Sequence, residues 1–246
     1  MPNAAVEHPP DTIPNVMDDN PFMKRFAHLA AVDDPVDESA ERAKQQAVKR
    51  EAARVALAEV VGARYADCTL ANFQATSKEQ RAAVDQLKAI GLADFVRAGR
   101  GLIFYGTVGT GKDHLLAAML FRAVAAGCSC YWINGLELLA TFRDAIDSQT
   151  SERSLVKRFA SYDVLAISDP TPPIPLRDDA WRTELLYRIL DARYRAAKST
   201  WLTVNAKSPK DADELLTSQV FDRLRDGAEL VKCLWQSYRE PQTKGK

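Results

Sequence analysis

No excess of either charge sign marks this sequence: 33 lysines and arginines stand against 33 aspartates and glutamates. A global field that would draw the chain onto nucleic acid is therefore excluded, and any such contact has to come from a local patch. Long apolar runs are missing as well. The best of them, Leu115 to Ala126, is short and carries Arg122, so no bilayer span and no membrane partner are expected. The first residues, with Glu7, Asp11 and scattered prolines, hold no basic stretch followed by an apolar core, which leaves a cytoplasmic protein as the expectation. Cysteine and histidine are scarce and scattered. Cys68, Cys128, Cys130 and Cys233 lack paired CxxC spacing, and Cys128 and Cys130 flank Ser129 in what reads as a buried strand, so the four read as small core residues. His8, His28 and His114 show no ligand spacing either, and a metal held only by protein side chains is not expected.

What is present is the composition of a globular protein, 46% hydrophobic and 27% charged, in 246 residues that suffice for one domain and a smaller appendage. Residues 1 to about 36 interleave prolines with acidic and amide residues and read as an extended arm. From Asp37 or Ser39 to about Val61 the chain is rich in Ala, Glu, Lys, Arg and Gln without Pro or Gly, which predicts a long helix with a thin apolar stripe, either a solvated tether or a docking element. We divide the chain into 1–65, an arm and helix, and 66–246, a core. A second helix is expected from Ser77, where Ser77 and Gln80 have capping-box spacing, to near Gly101. Beyond it, apolar runs at 101–106, Cys130 to Ile133, Val164 to Ile167 and Trp201 to Val204 alternate with helical segments at Lys112 to Ala126, 135–147, 152–160 and 179–197. The alternation predicts an α/β fold, a parallel sheet wrapped by helices.

The stretch Gly106-Thr107-Val108-Gly109-Thr110-Gly111-Lys112-Asp113 fits GxxxxGK(S/T) except at its last position, and it lies after a strand and before a helix. Glycines there let successive backbone N–H groups face phosphates, the helix N-terminus adds partial positive charge, and Lys112 can reach the β- and γ-phosphates of ATP. Asp113 is the departure. The usual hydroxyl is a neutral Mg²⁺ ligand, whereas a carboxylate beside a polyanion needs a cation between them. The acidic residue expected to close a later strand is also displaced: Tyr162-Asp-Val-Leu-Ala-Ile-Ser168-Asp169 puts Ser168 at the first such position. Hydroxyl and carboxylate then read as exchanged, with Asp113 and Ser168 at the metal and Asp169 beside it as the group that orients or deprotonates the attacking water. The alternative is a decayed site that binds nucleotide and hydrolyses it poorly.

Beyond these residues, the region from about Tyr65 to Arg239 resembles the DnaC/DnaI helicase loaders, AAA+ ATPases, and their IstB-type transposition relatives. Tyr65-Ala-Asp-Cys68-Thr-Leu-Ala-Asn72-Phe73 is similar to the segment before their core. Gly109-Thr-Gly-Lys-Asp-His114-Leu resembles their GTGKTHL, departing at Asp113, and Asp191-Ala-Arg193-Tyr194 resembles their DRRY, departing at Ala192. Ser199-Thr-Trp-Leu-Thr-Val-Asn205 is similar to their PT-x-x-TSN strand, Asp222-Arg223-Leu224-Arg225 to DR(L/M)R, and Trp235-Gln-Ser237-Tyr238-Arg239 to W-x-SYR.

The resemblance implies a P-loop AAA+ core; with the sequence ending soon after Arg239, a full C-terminal lid and a lid-borne sensor arginine are not expected. It makes Asn205 a polar sensor near the γ-phosphate and Arg223 an arginine finger acting on the adjacent protomer of an oligomer. A plain ion pair of Arg223 with Asp222 or Asp226 is the simpler reading of that residue. It places single-stranded DNA contacts between the second and third strands, where Arg143, Arg153, Lys157 and Arg158 lie, diluted by Asp144, Asp147 and Glu152; a solvated face is the alternative. Trp181, Trp132 and Tyr131 read as packing residues. The function implied is an ATP-controlled loader whose N-terminal segment grips a replicative helicase. An IstB-like transposition helper and a nucleotide switch without useful turnover are the alternatives.

Overall fold

The computed structural model describes residues 38–148, 151–171 and 179–239, so the proline-rich arm at 1–36, with His8 and His28, lies outside the described residues. The chain divides into two units, Met1–Gln46 and Ala47–Lys246. Helix α1 is Glu38–Val61. In its second half only Leu57 and Val61, one turn apart, are buried, while Val48 and Val55 are exposed. The larger unit then runs α2 (Lys78–Lys88), α3 (Leu92–Arg97), β1 (Leu102–Gly106), α4 (Lys112–Ala125), β2 (Cys130–Asn134), α5 (Gly135–Asp147) and α6 (Glu152–Ser161). It continues with β3 (Val164–Ser168), α7 (Asp179–Arg195), β4 (Ser199–Val204), α8 (Pro209–Leu216), α9 (Ser218–Arg225) and β5 (Glu229–Cys233).

All strand pairs are parallel and the order is β2-β3-β4-β1-β5. Side chains alternate across the strands, so β1 gives Leu102 and Phe104 to one face and Ile103 to the other. The first face is covered by α2, α3 and α4 through Leu87, Phe95, Leu116 and Leu120; the second by helices α5 to α9 through Phe142, Phe159, Ile189, Leu216 and Phe221. The central strands β3 and β4 are buried along their whole length, as expected where both faces carry helices.

Two local expectations change. The single helix foreseen from Ser77 to near Gly101 is two helices. The capping box at its start is formed as the spacing indicates, but the chain breaks after Ala89 and Gly91 caps α3. Arg122 on α4 donates to Leu87 O at 2.8 Å, supplying a tertiary partner for a carbonyl freed at the break. Cys128 lies before β2, not within it, and Cys128 and Cys130 are half-buried at the core edge, whereas Cys68 and Cys233 are buried. Helices α8 and α9 and strand β5 had no counterpart in the apolar pattern. β5 is an edge strand with Glu229 and Lys232 on it, so it carries no continuous apolar run.

Candidate nucleotide site

The chain order β2-β3-β4-β1-β5 sends the connection after β1 across the sheet to β2, and loops leave the C-terminal strand ends toward opposite faces, the arrangement in which open α/β sheets bind ligands. The loop 106–112 lies at that place. Gly109 and Gly111 take φ of 80° and 84°, the left-handed region open to glycine, and Gly111 is the N-cap of α4. A cleft of about 400 Å³ opens beside the loop, lined on one side by Val108, Gly109, Gly111, Lys112, Asp113 and His114 and on the other by Asp169 and Asn205. Gly106, Thr107, Thr110 and Ser168 do not line it. They sit behind the lining, where Thr110 Oγ1 donates to Thr107 O at 2.9 Å.

Lys112 is buried, and its ammonium donates to Gly106 O (3.1 Å), Thr107 O (2.7 Å) and Asn205 Oδ1 (2.9 Å). Burial lowers its pKa, against the pull of Asp169. Asn205 passes the link on, its Nδ2 donating to Asp169 Oδ1 at 2.9 Å. Asp169 stands at the end of β3 with φ 46°, uncommon for a residue with a side chain. Burial, then the charge of Asp113, push its carboxyl up to about 6.

Asp113 and Ser168 are brought together: Ser168 Oγ donates to Asp113 Oδ1 at 3.0 Å. Thr203, unremarked in the sequence, also donates to that oxygen at 3.0 Å and accepts from Asp169 N at 3.2 Å, so one buried hydroxyl joins both aspartates. The donor set fits Mg²⁺. Two carboxyl groups and a hydroxyl are hard oxygen ligands, and the charge of Asp113, which adds to burial in pushing Asp169 up, is a repulsion that a cation would relieve. Among the described residues no cluster of three or more His, Cys, Asp or Glu could cage a metal, but Mg²⁺ held jointly with phosphates needs only one or two carboxylates.

The far wall of the cleft was not read as functional from sequence. It comprises Arg64, Tyr65, Cys68, Asn72, Phe73 and Gln74 from the segment before α2, with Tyr238 and Arg239 from the segment after β5. His114 Nε2 is 3.0 Å from Thr69 O and Asn72 Oδ1, both acceptors, so its proton belongs on that nitrogen. Phe73 meets His114, Trp235 and Tyr238 edge-on. The only sequence signal for this wall was the set of family-like segments at both ends of the core.

Arg223 lies outside the cleft of its own chain. Its ion-pair partner is Asp191 at 3.3 Å and not Asp222 or Asp226; Asp222 faces Arg225. Its guanidinium also donates to Tyr187 OH at 2.9 Å and covers the Tyr187 ring. Arg143, Arg153, Lys157 and Arg158 are exposed on α5 and α6, with Arg143 over the Trp181 ring and Arg158 over Tyr131. Glu152 is engaged by Arg188 at 2.7 Å, which removes one of the charges expected to dilute that patch. Tyr131 and Trp181 pack on the core, and Trp132 is buried and stacks on Tyr65.

A P-loop at the switch point of a parallel sheet in this strand order defines a P-loop ATP-binding protein of the AAA+ class. Within that class the chain belongs to the IstB-like ATP binding protein family, whose profile matches residues 28–245. It is similar to the replicative helicase loader DnaC of Escherichia coli, 27% identical over 180 residues, covering 72% of this chain and 71% of that protein. It is also 30% identical over 150 residues to the insertion sequence IS232 putative ATP-binding protein of Bacillus thuringiensis, covering 59% of this chain and 58% of that one. The crystal structure of the DnaC helicase loader superposes with a TM-score of 0.60 at 25% identity over 70% of this chain and 99% of that chain. The replication initiator DnaA bound to AMPPCP and single-stranded DNA shares the fold, with a TM-score of 0.58 at 22% identity over 72% of this chain and 51% of that chain. Among the described residues no helix is long and apolar enough to cross a membrane.

Proposed function

We propose that this chain is a cytoplasmic ATPase that hydrolyses ATP with Mg²⁺ and acts in DNA replication as a helicase loader working with single-stranded DNA. The observation that carries the hydrolytic reading is the hydrogen-bonded chain from Lys112 through Asn205 to Asp169, with Asp113 and Ser168 bonded to each other beside it. Backbone N–H groups of the loop and the first turn of α4 bind phosphate, and Lys112 offsets its charge. Asp169, with a carboxyl poised near neutrality and oriented by Asn205, accepts a proton from the attacking water. Asp113 and Ser168, with Asp169 beside them, would hold Mg²⁺, which when bound neutralises charge on the phosphates. Thr203 keeps the two aspartates in register.

Lys112→Ala should leave the fold intact and weaken ATP binding roughly 10- to 100-fold, the cost of one charged hydrogen-bonding group. A fluorescent-ATP titration checks it, and unchanged affinity in a folded variant would sink the reading. Arg223 is proposed to enter the neighbouring protomer's site on self-assembly, its guanidinium leaving Asp191 and Tyr187. Arg223→Ala should then retain ATP binding but lose turnover, and mixing it with Lys112→Ala should recover part of the activity; mixtures no better than their parts would exclude a finger in trans.

Residues 1–65 are the proposed contact to a replicative helicase and 66–246 the ATPase core. The exposed Arg143, Arg153, Lys157 and Arg158 are the proposed single-stranded DNA contacts. The similarity to an insertion-sequence protein supports a second reading, a transposition helper with the same ATP site. Co-purification of the full chain with a hexameric helicase, set against a transposase, separates the two.

A further inference from the structure

Three hydroxyl groups from separate parts of the chain converge on the carboxylate of Asp113. This residue, in the first turn of α4, accepts at Oδ1 from Ser168 Oγ at the end of β3 and from Thr203 Oγ1 on β4, each at 3.0 Å, and at Oδ2 from the Tyr65 hydroxyl at 3.5 Å. A carboxylate oxygen accepts about two hydrogen bonds, so Oδ1 is filled from the sheet. Among the described residues Oδ2 takes only the long bond from Tyr65, and Asp113 lines the cleft, so Oδ2 is the oxygen left to meet a metal ion there. Serine or threonine at this position, as the loop motif has it, offers a single oxygen and could not take three donors. The arrangement therefore belongs to the aspartate.

Tyr65 is placed by the turn that follows α1. Gly62, with φ of 80°, ends the helix, the Tyr65 N–H donates to Gly62 O at 2.9 Å, and the Cys68 N–H donates to Tyr65 O at 3.1 Å. The ring stacks on Trp132 of β2, centroids 5.9 Å apart and planes 28° from parallel, and packs on the apolar cluster that also takes up Leu57 and Val61 of α1. Phenylalanine would fill that place equally well, so packing accounts for the ring and not for the hydroxyl that reaches Asp113. Groups that hydrogen-bond a metal's carboxylate ligand fix which oxygen it presents. We propose that Tyr65 is a positioning residue of the Mg²⁺ site, its hydroxyl holding Asp113 Oδ2 in the orientation in which that oxygen is offered to the metal. The inference rests on the reading of Asp113 as a metal ligand and adds to it a residue from outside both the sheet and the loop motif. It also makes the metal site depend on the turn after α1.

The test compares wild type, Tyr65→Phe, Asp113→Thr and the double variant as full chains. Fluorescent ATP is titrated in EDTA and again over a series of Mg²⁺ concentrations, and melting is followed without nucleotide. Tyr65→Phe should bind ATP in EDTA as wild type does and melt at the same temperature, while the gain in ATP affinity that Mg²⁺ brings falls about 3- to 10-fold, the weight of one hydrogen bond. With Asp113→Thr already in place, adding Tyr65→Phe should change that gain no further, because the carboxylate it acts through is gone. An undiminished Mg²⁺ gain in Tyr65→Phe, an equal loss of affinity in EDTA, the same loss on the Asp113→Thr background, or a loss accompanied by a fall in melting temperature would each overturn the proposal. In those outcomes a wild type that gains affinity from Mg²⁺, with Asp113→Thr gaining less, leaves the metal reading standing and the Tyr65 inference alone fails. A wild type that binds ATP equally with and without Mg²⁺ overturns the metal reading and this inference with it.

Discussion

Two polar clusters, one buried and one opening on the cleft, sit at opposite ends of the same strands, and they are built on opposite principles. At the N-terminal ends of β3 and β4, Arg193 is fully buried, and every N–H of its guanidinium is met. Nε donates to Thr200 Oγ1 at 2.9 Å, Nη1 to Phe159 O and Tyr162 O, and Nη2 to Asp163 O and Ser199 O. Burial pushes it down to about 9, still protonated at neutral pH. At the C-terminal ends, Asp113 and Asp169 are joined through the hydroxyl of Thr203, and Asp169, on a left-handed backbone, has its carboxyl pushed up to about 6 by burial and then by the charge of Asp113, beside a lysine whose pKa burial lowers. A satisfied charge network closes a structure, whereas one left with like charges near each other is suited to a ligand of opposite charge. The DRRY-like motif belongs to the first kind: Asp191 holds Arg223, Arg193 clips α7 to β4, and Tyr194 bonds Asp226.

The contrast breaks most visibly at Arg193. Arg193→Ala strands several buried carbonyls and should cost roughly 3–5 kcal/mol in urea unfolding, with ATP affinity per folded molecule unchanged. Lost affinity at full stability would reverse the assignment of the two ends. At the other end, the Asp113–Ser168 pair gives a double-mutant cycle. Asp113→Thr and Ser168→Asp should each impair Mg²⁺-dependent turnover, and the double variant should recover it with a coupling of about 0.5–3 kcal/mol. Strict additivity, or ATP binding indifferent to Mg²⁺, would favour a decayed site.

The smallest effect is expected at Asp163. Burial raises its carboxyl, but the hydrogen bonds from Lys198 and Ser129 outweigh it and hold the group down at about 2. A carboxyl depressed on folding stabilises above its ordinary range near 4 and loses that contribution as pH falls toward 2. The stability gap between wild type and Asp163→Asn should thus be constant at neutral pH and shrink through that window in acid titrations. A gap independent of pH there would show that the pair contributes nothing.

Sequence alone determined the glycine-rich loop, the strands before and after it and the capping box at Ser77, because each is a local pattern; it set Asp113 and Ser168 together only as an expected exchange of metal ligands, and the hydrogen bond between them is what the structure adds. Helix α2 could be started from Ser77 but not stopped, since the partner that receives its freed carbonyl is Arg122, 35 residues on. Strand β5 was hidden because an edge strand buries little and needs no apolar run. Only the tertiary structure decided that Thr203 joins both aspartates, that Asp191 and not a sequence neighbour holds Arg223, and that Tyr65, Phe73, Tyr238 and Arg239 wall the cleft. These are contacts across more than 30 residues between side chains with no pattern of their own, so the closure of the fold, and no local rule, sets them.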